Sequence, residues 1–441
     1  MLKVYFIGIG GIGVSGLASI YQQQGQQVLG SDTEASEVTA DLQKQGVKVF
    51  IGHQSQHVAK DLDLLIYSEA VPKTNPELKA AQEMGIKCLS GAEALAKFSA
   101  NYFTIAVSGM HGKSTTASMI SQVLIKAGLD PTFIIGTKPG WRLGQSKYLV
   151  IEADDYQAKF LNYHPNILVL TNIEEEHMDY FKDLAHILQV FKQYVGQVKD
   201  YVIANNDDNN TRTILTGRSD RGGAKALFYS LKDSEAPVLK SILHVPGQHN
   251  VSNALASLRV ARLLGIDDKA SLKALAGYKG VWRRFEETEL KIKNLKIKII
   301  SDYAHHPTEI QATLQAAQEK FKSKRVWVVF QPHQYQRTFY LFDNFVNVFK
   351  QAQGSFGAER LILTDIYDVA GRENNEIKEK VNSQKLAWAI NKPWAVYVPQ
   401  SQLAQYLIQN LQPGVILLIM GAGSIYKLPQ ELTREGKNIK L

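Results

Sequence analysis

The part of the sequence that most constrains the fold is a β-rich run followed at once by a glycine-containing turn. Phe103–Val107 predicts a buried strand, Gly109–Gly112 a tight turn, and the amphipathic stretch beyond it a helix reaching about Leu129. A strand that passes through such a turn into a helix is the repeating unit of parallel α/β sheets. The chain is therefore predicted to contain an α/β domain with a site at the end of this strand.

The same turn carries the residues of a shortened phosphate-binding loop. Backbone N–H groups of the turn and of the helix start can bind phosphate oxygens. The Lys113 ammonium can neutralise phosphate charge, and the hydroxyl of Ser114 or Thr115 can bind Mg²⁺. Only the final Gly-Lys-Ser of the usual eight-residue pattern is standard. The alternative is an ordinary strand-to-helix turn with a surface lysine.

The N-terminal residues form a second strand, turn and helix pattern. Lys3–Ile7 predicts a strand, Gly8–Gly13 a tight turn and Val14–Gln24 a helix, and Asp32 follows the next predicted strand. A glycine-rich turn with an acidic residue about 20 positions further on is typical of dinucleotide binding. The pattern fits NAD or a UDP-sugar equally, since either diphosphate could lie on the helix N-terminus. Two such turns in successive domains indicate two phosphorylated ligands.

The remaining predicted strands divide the chain into three α/β domains. Boundaries near residues 97 and 286 give domains over 1–97, 98–286 and 287–441. A chain of 441 residues suffices for two to four domains of roughly 100–200 residues each. The further predicted strands are Gln27–Gly30, Asp63–Tyr67 as the third of the first domain, Tyr148–Ile151, Ile167–Leu170, Tyr201–Ile203, Val326–Phe330, Arg360–Thr364 and Val415–Ile419.

The third domain is predicted to open with a β-hairpin. Apolar and basic residues alternate along Glu289–Ile300, on either side of a turn at Asn294. Alternation with a period of two predicts a strand with one buried face. Lysines on the other face are common on exposed strands, so they do not indicate a nucleic-acid surface.

Composition excludes several classes of protein. The single cysteine, Cys88, cannot form an internal disulfide, and no cysteine and histidine cluster has zinc spacing. The net charge of +8 is spread along the chain, which suits anionic small substrates better than nucleic acid. Neither end shows a secretory segment, and there is no apolar run of 18 residues. We therefore expect a cytoplasmic enzyme without membrane insertion.

A metal site is predicted next to the phosphate-binding loop. Glu152 ends the predicted strand Tyr148–Ile151, and His177 follows the strand Ile167–Leu170. Because the carboxyl ends of neighbouring parallel strands meet in one crevice, a divalent ion held by oxygen and nitrogen ligands could bind there. Taken singly, a capping carboxylate and a hydrogen-bonded core histidine are the plainer interpretations.

The order of these and further motifs resembles that of the Mur ligases over nearly the whole chain. Within that family, the glycine-rich start, Gly30–Asp32, Gly52–His53, Asp302–Glu309, Thr364–Tyr367 and Gly421–Ile425 are similar to members that add L-alanine to UDP-N-acetylmuramate. The motifs that carry the family resemblance are Gly109–Thr116, Glu152–Asp154, Thr171–Glu174, His177–Asp179, Gly247–Leu255, Arg283–Glu286, Asp302–Pro307 and Phe330–His333.

The resemblance implies the fold and the role of individual residues. It implies a Rossmann-like UDP-binding domain, a central P-loop domain that binds ATP, and a Rossmann-like third domain that completes the site. Residues implied for ATP are Gly109, His111, Gly112, Lys113, Ser114, Thr115, His249, Asn250, Asn253, Arg284 and Asp302. Those implied for the UDP-sugar are Gly10, Gly11, Gly13, Asp32, His53 and Ser68. Those implied for Mg²⁺ are Ser114, Glu152 and His177, and for catalysis Lys113, His305, His333 and Arg337.

The implied reaction is the ATP- and Mg²⁺-dependent ligation of L-alanine to the lactyl carboxylate of UDP-N-acetylmuramate through an acyl phosphate. The expected partners are these two substrates, with a monomer or a weak homodimer as the oligomeric state. The alternatives are a ligase that attaches a preformed tripeptide to the same sugar, a nicotinamide-dependent oxidoreductase, and a non-catalytic UDP-sugar binder.

Four departures from the family pattern bear on this reading. Asp155-Tyr156-Gln157 stands where Glu-Ser-Asp is usual, and Gln334 stands where an arginine is usual. The loop Gly136–Trp141 is shorter than usual, and Ser301 replaces a common aspartate. Loss of a cation at 334 puts the rate and the identity of the amino acid in doubt.

Overall fold

The computed structural model describes residues 1–216, 223–292, 295–322, 324–369 and 375–438. Within them, the chain forms two compact units, each assembled from more than one stretch of sequence. No helix in these ranges has the length and apolar character needed to cross a membrane. The first unit comprises Met1–Glu174, Ala185–Leu239 and Ser252–Ala276, and the second Glu175–Leu184, Lys240–Val251 and Gly277–Leu441.

The first unit begins with a five-stranded parallel sheet. Its strands are β1 (Lys3–Ile7), β2 (Gln27–Asp32), β3 (Lys48–Ile51), β4 (Leu64–Tyr67) and β5 (Cys88–Ser90). They lie in the order β3-β2-β1-β4-β5. The central strand β1 is apolar and almost wholly buried, as strands inside parallel sheets usually are. The accompanying helices are α1 (Ile12–Gln23), α2 (Glu37–Lys44), α3 (Pro76–Glu83) and α4 (Gly91–Ser99).

A seven-stranded sheet follows in the same unit. Its order is β12-β11-β10-β6-β9-β7-β8, and all pairs are parallel except β7 with β8. The strands are β6 (Phe103–Ser108), β7 (Thr132–Ile134), β8 (Trp141–Arg142), β9 (Tyr148–Glu152), β10 (Ile167–Leu170), β11 (Tyr201–Asn205) and β12 (Lys225–Tyr229). The helices of this part of the chain are α5 (Lys113–Lys126), α6 (Leu184–Gly196), α7 (Asn209–Leu215), α8 (Ala236–Ile242), α9 (Gln248–Leu263) and α10 (Asp268–Ala276).

The second unit is built on a six-stranded sheet of order β13-β14-β18-β15-β16-β17. Only β13 and β14 are antiparallel. The strands are β13 (Glu286–Ile292), β14 (Leu295–Asp302), β15 (Arg325–Phe330), β16 (Ala358–Leu363), β17 (Ala395–Tyr397) and β18 (Val415–Met420). The helices are α11 (Pro307–Lys320), α12 (Tyr335–Tyr340), α13 (Phe342–Gln351), α14 (Asn375–Lys380), α15 (Ser383–Ile390), α16 (Gln400–Asn410) and α17 (Leu428–Asn438).

The α/β class is confirmed, and each predicted strand is present with its ends shifted by at most two residues. The predicted hairpin is present as β13 and β14, while its turn residue Asn294 lies outside the described residues. The helix after the phosphate-binding loop ends three residues earlier than predicted, because Gly128 adopts a φ of 79°. Asp63–Tyr67 is the fourth strand and not the third, since Lys48–Ile51 was missed.

One predicted domain boundary falls inside a helix and the other at the start of a strand. Residue 97 falls within α4, and residue 286 is the first residue of β13. Both boundaries stay predictions.

Candidate functional site

The phosphate-binding loop connects β6 to α5 at the carboxyl end of the central sheet. Gly109 and Gly112 both have a positive φ, of 129° and 81°. A Cβ atom on Gly112 would lie 2.6 Å from the side-chain oxygen of Asn253, and the positive φ disfavours any residue with a side chain at this position. The loop is anchored by the N–H of His111, which donates to the Asn172 side chain at 2.9 Å. The turn is thus fixed from two sides.

Lys113 is the first residue of α5, and its ammonium is largely buried. Nζ donates to Asp155 Oδ1 at 2.6 Å and to the carbonyl of Gly109 at 2.7 Å. Burial disfavours the charged ammonium, but the carboxylates of Asp155, Glu152 and Asp154 outweigh it and raise the pKa of Lys113. Lys113 therefore stays a cation throughout the physiological pH range. Asp155 is fully buried, and nothing in the sequence pattern indicates that it would be the partner of Lys113.

Two oxygen-bearing side chains meet beside this lysine. The Ser114 hydroxyl donates to Glu152 Oε2 at 2.8 Å, and the same oxygen accepts the N–H of Gly136 at 2.8 Å. Glu152 stands at the end of β9, which pairs directly with β6. Hydroxyl and carboxylate oxygens are the donors that Mg²⁺ prefers, so this pair fits the predicted metal. His177, the third predicted ligand, belongs to the second unit, and its metal role stays a prediction.

Other residues predicted to bind ATP occupy the same region of the first unit. Thr115 is buried in the first turn of α5, and the His111 imidazole contacts the carboxylate of Glu174. Asn253 lies against Gly112 and is itself buried. The loop after β10 supports the phosphate-binding loop, because the Thr171 hydroxyl donates to the His111 carbonyl at 2.6 Å.

The N-terminal glycine loop joins β1 to α1 and is held by the end of β2. The carbonyl of Ser31 accepts the N–H groups of Gly8 and Ile9 at 2.8 and 3.0 Å. The Asp32 carboxylate accepts the N–H of Gly10 at 2.8 Å. Asp32 therefore shapes the loop directly, whatever it contacts on a ligand.

The other residues predicted for the UDP-sugar differ in how closely they pack against their neighbours. A Cβ on Gly8 would lie 3.0 Å from Ser68, and Gly11 is the N-cap of α1. A Cβ on Gly13 would meet nothing within 4 Å, so local packing does not require glycine there. His53 Nδ1 lies 3.0 Å from the Ser31 hydroxyl. It also contacts the buried carboxylate of Glu77, which the sequence did not single out.

In the second unit, a buried ion pair joins Arg337 to Glu176. Arg337 Nη2 lies 2.7 Å from Glu176 Oε1, and both side chains are only 6% exposed. Burial alone would raise the pKa of Glu176, but Arg337, with smaller effects from nearby histidines, holds that pKa well below its ordinary value. The guanidinium also donates through Nη1 to His333 Nδ1 at 3.1 Å. Arg337 is thereby fixed between an anion and an imidazole.

His333 and His305 form an aromatic cluster in the same unit. Their ring centroids lie 5.7 Å apart, and the His333 ring stacks on Tyr367 at 5.5 Å. His305 Nδ1 lies 3.0 Å from the Tyr303 carbonyl oxygen. Gln334, next to His333, is buried and donates its N–H to the Tyr367 carbonyl. Its φ of 71° is rare for a residue with a side chain.

The remaining predicted ATP-binding residues also belong to the second unit. Asp302 is buried and accepts the N–H groups of Phe285 and Ala304 at 2.7 and 2.8 Å. Burial raises its pKa despite these hydrogen bonds. Arg284 lies 3.5 Å from Glu309. Asn250 donates to the Pro246 carbonyl at 2.6 Å, and the ring of His249 lies against Gly247. Contact of these residues with ATP stays a prediction.

Three family models and several full-length relatives match this chain. The Mur ligase family catalytic-domain model matches residues 3–103, the Mur ligase middle-domain model residues 107–261, and the Mur ligase glutamate-ligase-domain model residues 283–423. The UDP-N-acetylmuramate–L-alanine ligase of Acetivibrio thermocellus is 40% identical over 98% of this chain and 96% of its own. The enzyme of that name from Clostridium tetani is 38% identical over 96% of both chains.

Solved structures support the fold. The UDP-N-acetylmuramate-alanine ligase of Thermotoga maritima superposes with a TM-score of 0.79 at 26% identity, covering all of both chains. A murein peptide ligase from Psychrobacter arcticus, at 21% identity and a TM-score of 0.72, shares the fold over the same extent. With family models, full-length relatives and architecture in agreement, the chain belongs to the Mur ligase family.

Proposed function

We propose that this chain is an ATP-dependent ligase that joins L-alanine to the lactyl carboxylate of UDP-N-acetylmuramate in peptidoglycan synthesis. The observation that carries the proposal is the 40% identity, over 98% of the chain, to a relative that bears this activity in its name. The two glycine-containing turns described above support it, since ATP and a UDP-sugar both carry phosphates and such turns at helix N-termini bind phosphate. An oxidoreductase would leave Lys113 and its surroundings without a use.

The chemistry requires activation of the acid. A carboxylate is a poor electrophile, so the lactyl carboxylate first attacks the γ-phosphorus of ATP, which gives an acyl phosphate and ADP. The deprotonated amine of alanine then attacks the acyl carbon. The C–N bond forms, the bond from carbon to the phosphate oxygen breaks, phosphate leaves, and the amine loses a proton. Lys113 is held as a cation where it can offset the charge gathered when two anions meet.

The Ser114 and Glu152 oxygens would hold Mg²⁺, with His177 as a further proposed ligand. The bound ion would supply additional positive charge to the ATP phosphates. The fit rests on the Ser114 hydroxyl and the Glu152 carboxylate, which lie 2.8 Å apart at the start of α5. The Gly136 N–H keeps the carboxylate in place from the other side.

Hydrogen-bond partners favour His305 over His333 as the group that accepts the amine proton. Arg337 donates to Nδ1 of His333, so the neutral ring carries its proton on Nε2 and cannot accept another there. His305 donates Nδ1–H to the Tyr303 carbonyl, which leaves Nε2 as an acceptor. We assign His305 as the base and Arg337 as the residue that orients His333.

The test is phosphate release from ATP and Mg²⁺ with UDP-N-acetylmuramate, assayed with single amino acids and with a preformed tripeptide. Release should require both substrates, be greatest with L-alanine, and vanish in Lys113→Ala. Lys126→Ala, at the far end of α5, is the matched control and should retain activity. If phosphate release is greatest with the tripeptide, the tripeptide and not L-alanine is the second substrate. UDP-sugar binding without any turnover would refute a ligase, and NADH binding would favour an oxidoreductase.

A further inference from the structure

A fully buried carboxylate in the first unit takes no part in the reaction described above. Glu77 lies in the first turn of α3 and has no exposed surface. Isolated buried carboxylates are strongly disfavoured, so their partners usually explain why they are retained. Five donors reach its two oxygens: the hydroxyls of Tyr5 and Ser31 at 3.0 and 2.5 Å, Nδ1 of His53 and His57 at 3.1 and 2.7 Å, and the N–H of Gln54 at 3.2 Å.

The hydrogen bonds to Glu77 suit an ionised carboxylate. A protonated carboxyl would have to donate one hydrogen bond, whereas all five partners of Glu77 can donate to an ionised carboxylate. His53 and His57 must then each carry a proton on Nδ1. In the neutral imidazole this leaves Nε2 as a hydrogen-bond acceptor. Glu77 thereby selects one tautomer of His53, a residue predicted to bind the UDP group.

The same carboxylate also supports the glycine loop. Ser31 donates its hydroxyl to Glu77, while its carbonyl accepts the N–H groups of Gly8 and Ile9. Asp32, the next residue, accepts the N–H of Gly10. One buried anion therefore connects to the glycine loop through Ser31 and directly to His53.

We propose that Glu77 is a positioning residue of the UDP site. It fixes His53 as the Nδ1–H tautomer, so that Nε2 accepts from a donor of the nucleotide, such as the uracil N–H or a ribose hydroxyl. It also holds Ser31 where its carbonyl shapes the glycine loop. This inference rests on the proposed function for the identity of the ligand.

The kinetic test compares Glu77→Gln with His57→Phe. The glutamine keeps the shape but brings an NH₂ group against donors, so the KM for UDP-N-acetylmuramate should rise by about tenfold or more, as when the orienting partner of a ligand histidine is lost. The KM for ATP and kcat should stay within about twofold of wild type. His57→Phe removes a donor to Glu77 but preserves the stacking on Phe50, whose ring lies 4.2 Å away. It should leave all three constants near wild type.

Equal changes in both variants, or a Glu77→Gln effect confined to kcat, would overturn the proposal and leave Glu77 a purely structural residue. A second measurement covers the case in which Glu77→Gln does not fold. In wild-type protein labelled with ¹⁵N-histidine, the His53 signal, assigned by its loss in His53→Gln, should show a protonated Nδ1 and an unprotonated Nε2. A protonated Nε2 would overturn the tautomer assignment.

The two proposals fail in distinguishable ways. Absence of L-alanine-dependent phosphate release from the wild-type enzyme would count against the proposed reaction only. Calorimetric titration with UDP-N-acetylmuramate alone would still test Glu77, since weaker binding by Glu77→Gln than by His57→Phe is expected without any turnover.

Discussion

Removal of the charge of Glu176 should destabilise the second unit strongly. Glu176→Gln keeps the side-chain shape but leaves the Arg337 guanidinium, which is only 6% exposed, without its anion. Breaking a buried ion pair by changing one partner costs about 3–5 kcal/mol. Because the amide oxygen can still accept one hydrogen bond, the lower end of this range, about 3 kcal/mol, is expected.

The assay is urea denaturation at pH 7, with Glu175→Gln as the control. Glu175 is the exposed neighbour of Glu176, and loss of its charge should change the free energy of unfolding by less than about 0.5 kcal/mol. An equal effect of the two substitutions would show that the ion pair does not stabilise the fold.

The destabilisation by Glu176→Gln should also depend on pH. The pKa of Glu176 is lowered in the folded protein, so its contribution is complete above the unfolded value of about 4.3 and disappears as the pH falls below it towards the folded value. The stability deficit of Glu176→Gln should therefore be largest near neutral pH and shrink once the pH falls below about 4. A deficit of constant size down to pH 3 would refute the electrostatic explanation.

Three further outcomes follow from the first unit. Gly112→Ala should abolish ATP-dependent phosphate release, because a side chain at φ 81° strains the loop and its Cβ would displace the Asn253 side chain. Gly128→Ala, at φ 79° with open space, should cost only about 1 kcal/mol of stability and retain activity. Ser114→Ala should raise the Mg²⁺ concentration for half-maximal release by about tenfold in a metal titration. Asp155→Asn should lower the pKa of Lys113 and destabilise the free protein, and the rise in Tm on adding ATP should exceed that of wild type.

Features encoded within a few neighbouring residues could be predicted from the sequence. The loop before Lys113 could be predicted because its glycines lie between an apolar strand and an amphipathic helix. Short strands such as Lys48–Ile51, with two half-buried and two exposed residues, carry too little pattern to be recognised. Their pairing in the sheet is what makes them strands.

Buried charges could not be found in this way, because their partners are distant in sequence. Ser31 and Glu77 are 46 residues apart, and Lys113 and Asp155 are 42 apart. A glutamate after Asn75-Pro76 resembles any acidic residue in the first turn of a helix, where the backbone dipole favours it. Only the fold shows that its side chain turns inward.

The pairing of Arg337 with Glu176 also affects folding during synthesis and the expression of fragments. Arg337 leaves the ribosome 161 residues after its partner, a delay of roughly 8–32 s at usual rates of synthesis. Throughout that time the nascent segment Glu175–Leu184 cannot pack against the rest of the second unit, and the Glu176 carboxylate must remain hydrated. A fragment that starts at the third sheet would lack this segment and would enclose an uncompensated guanidinium. Expression of the C-terminal region alone should therefore require that the segment be supplied, either fused to the fragment or as a separate peptide.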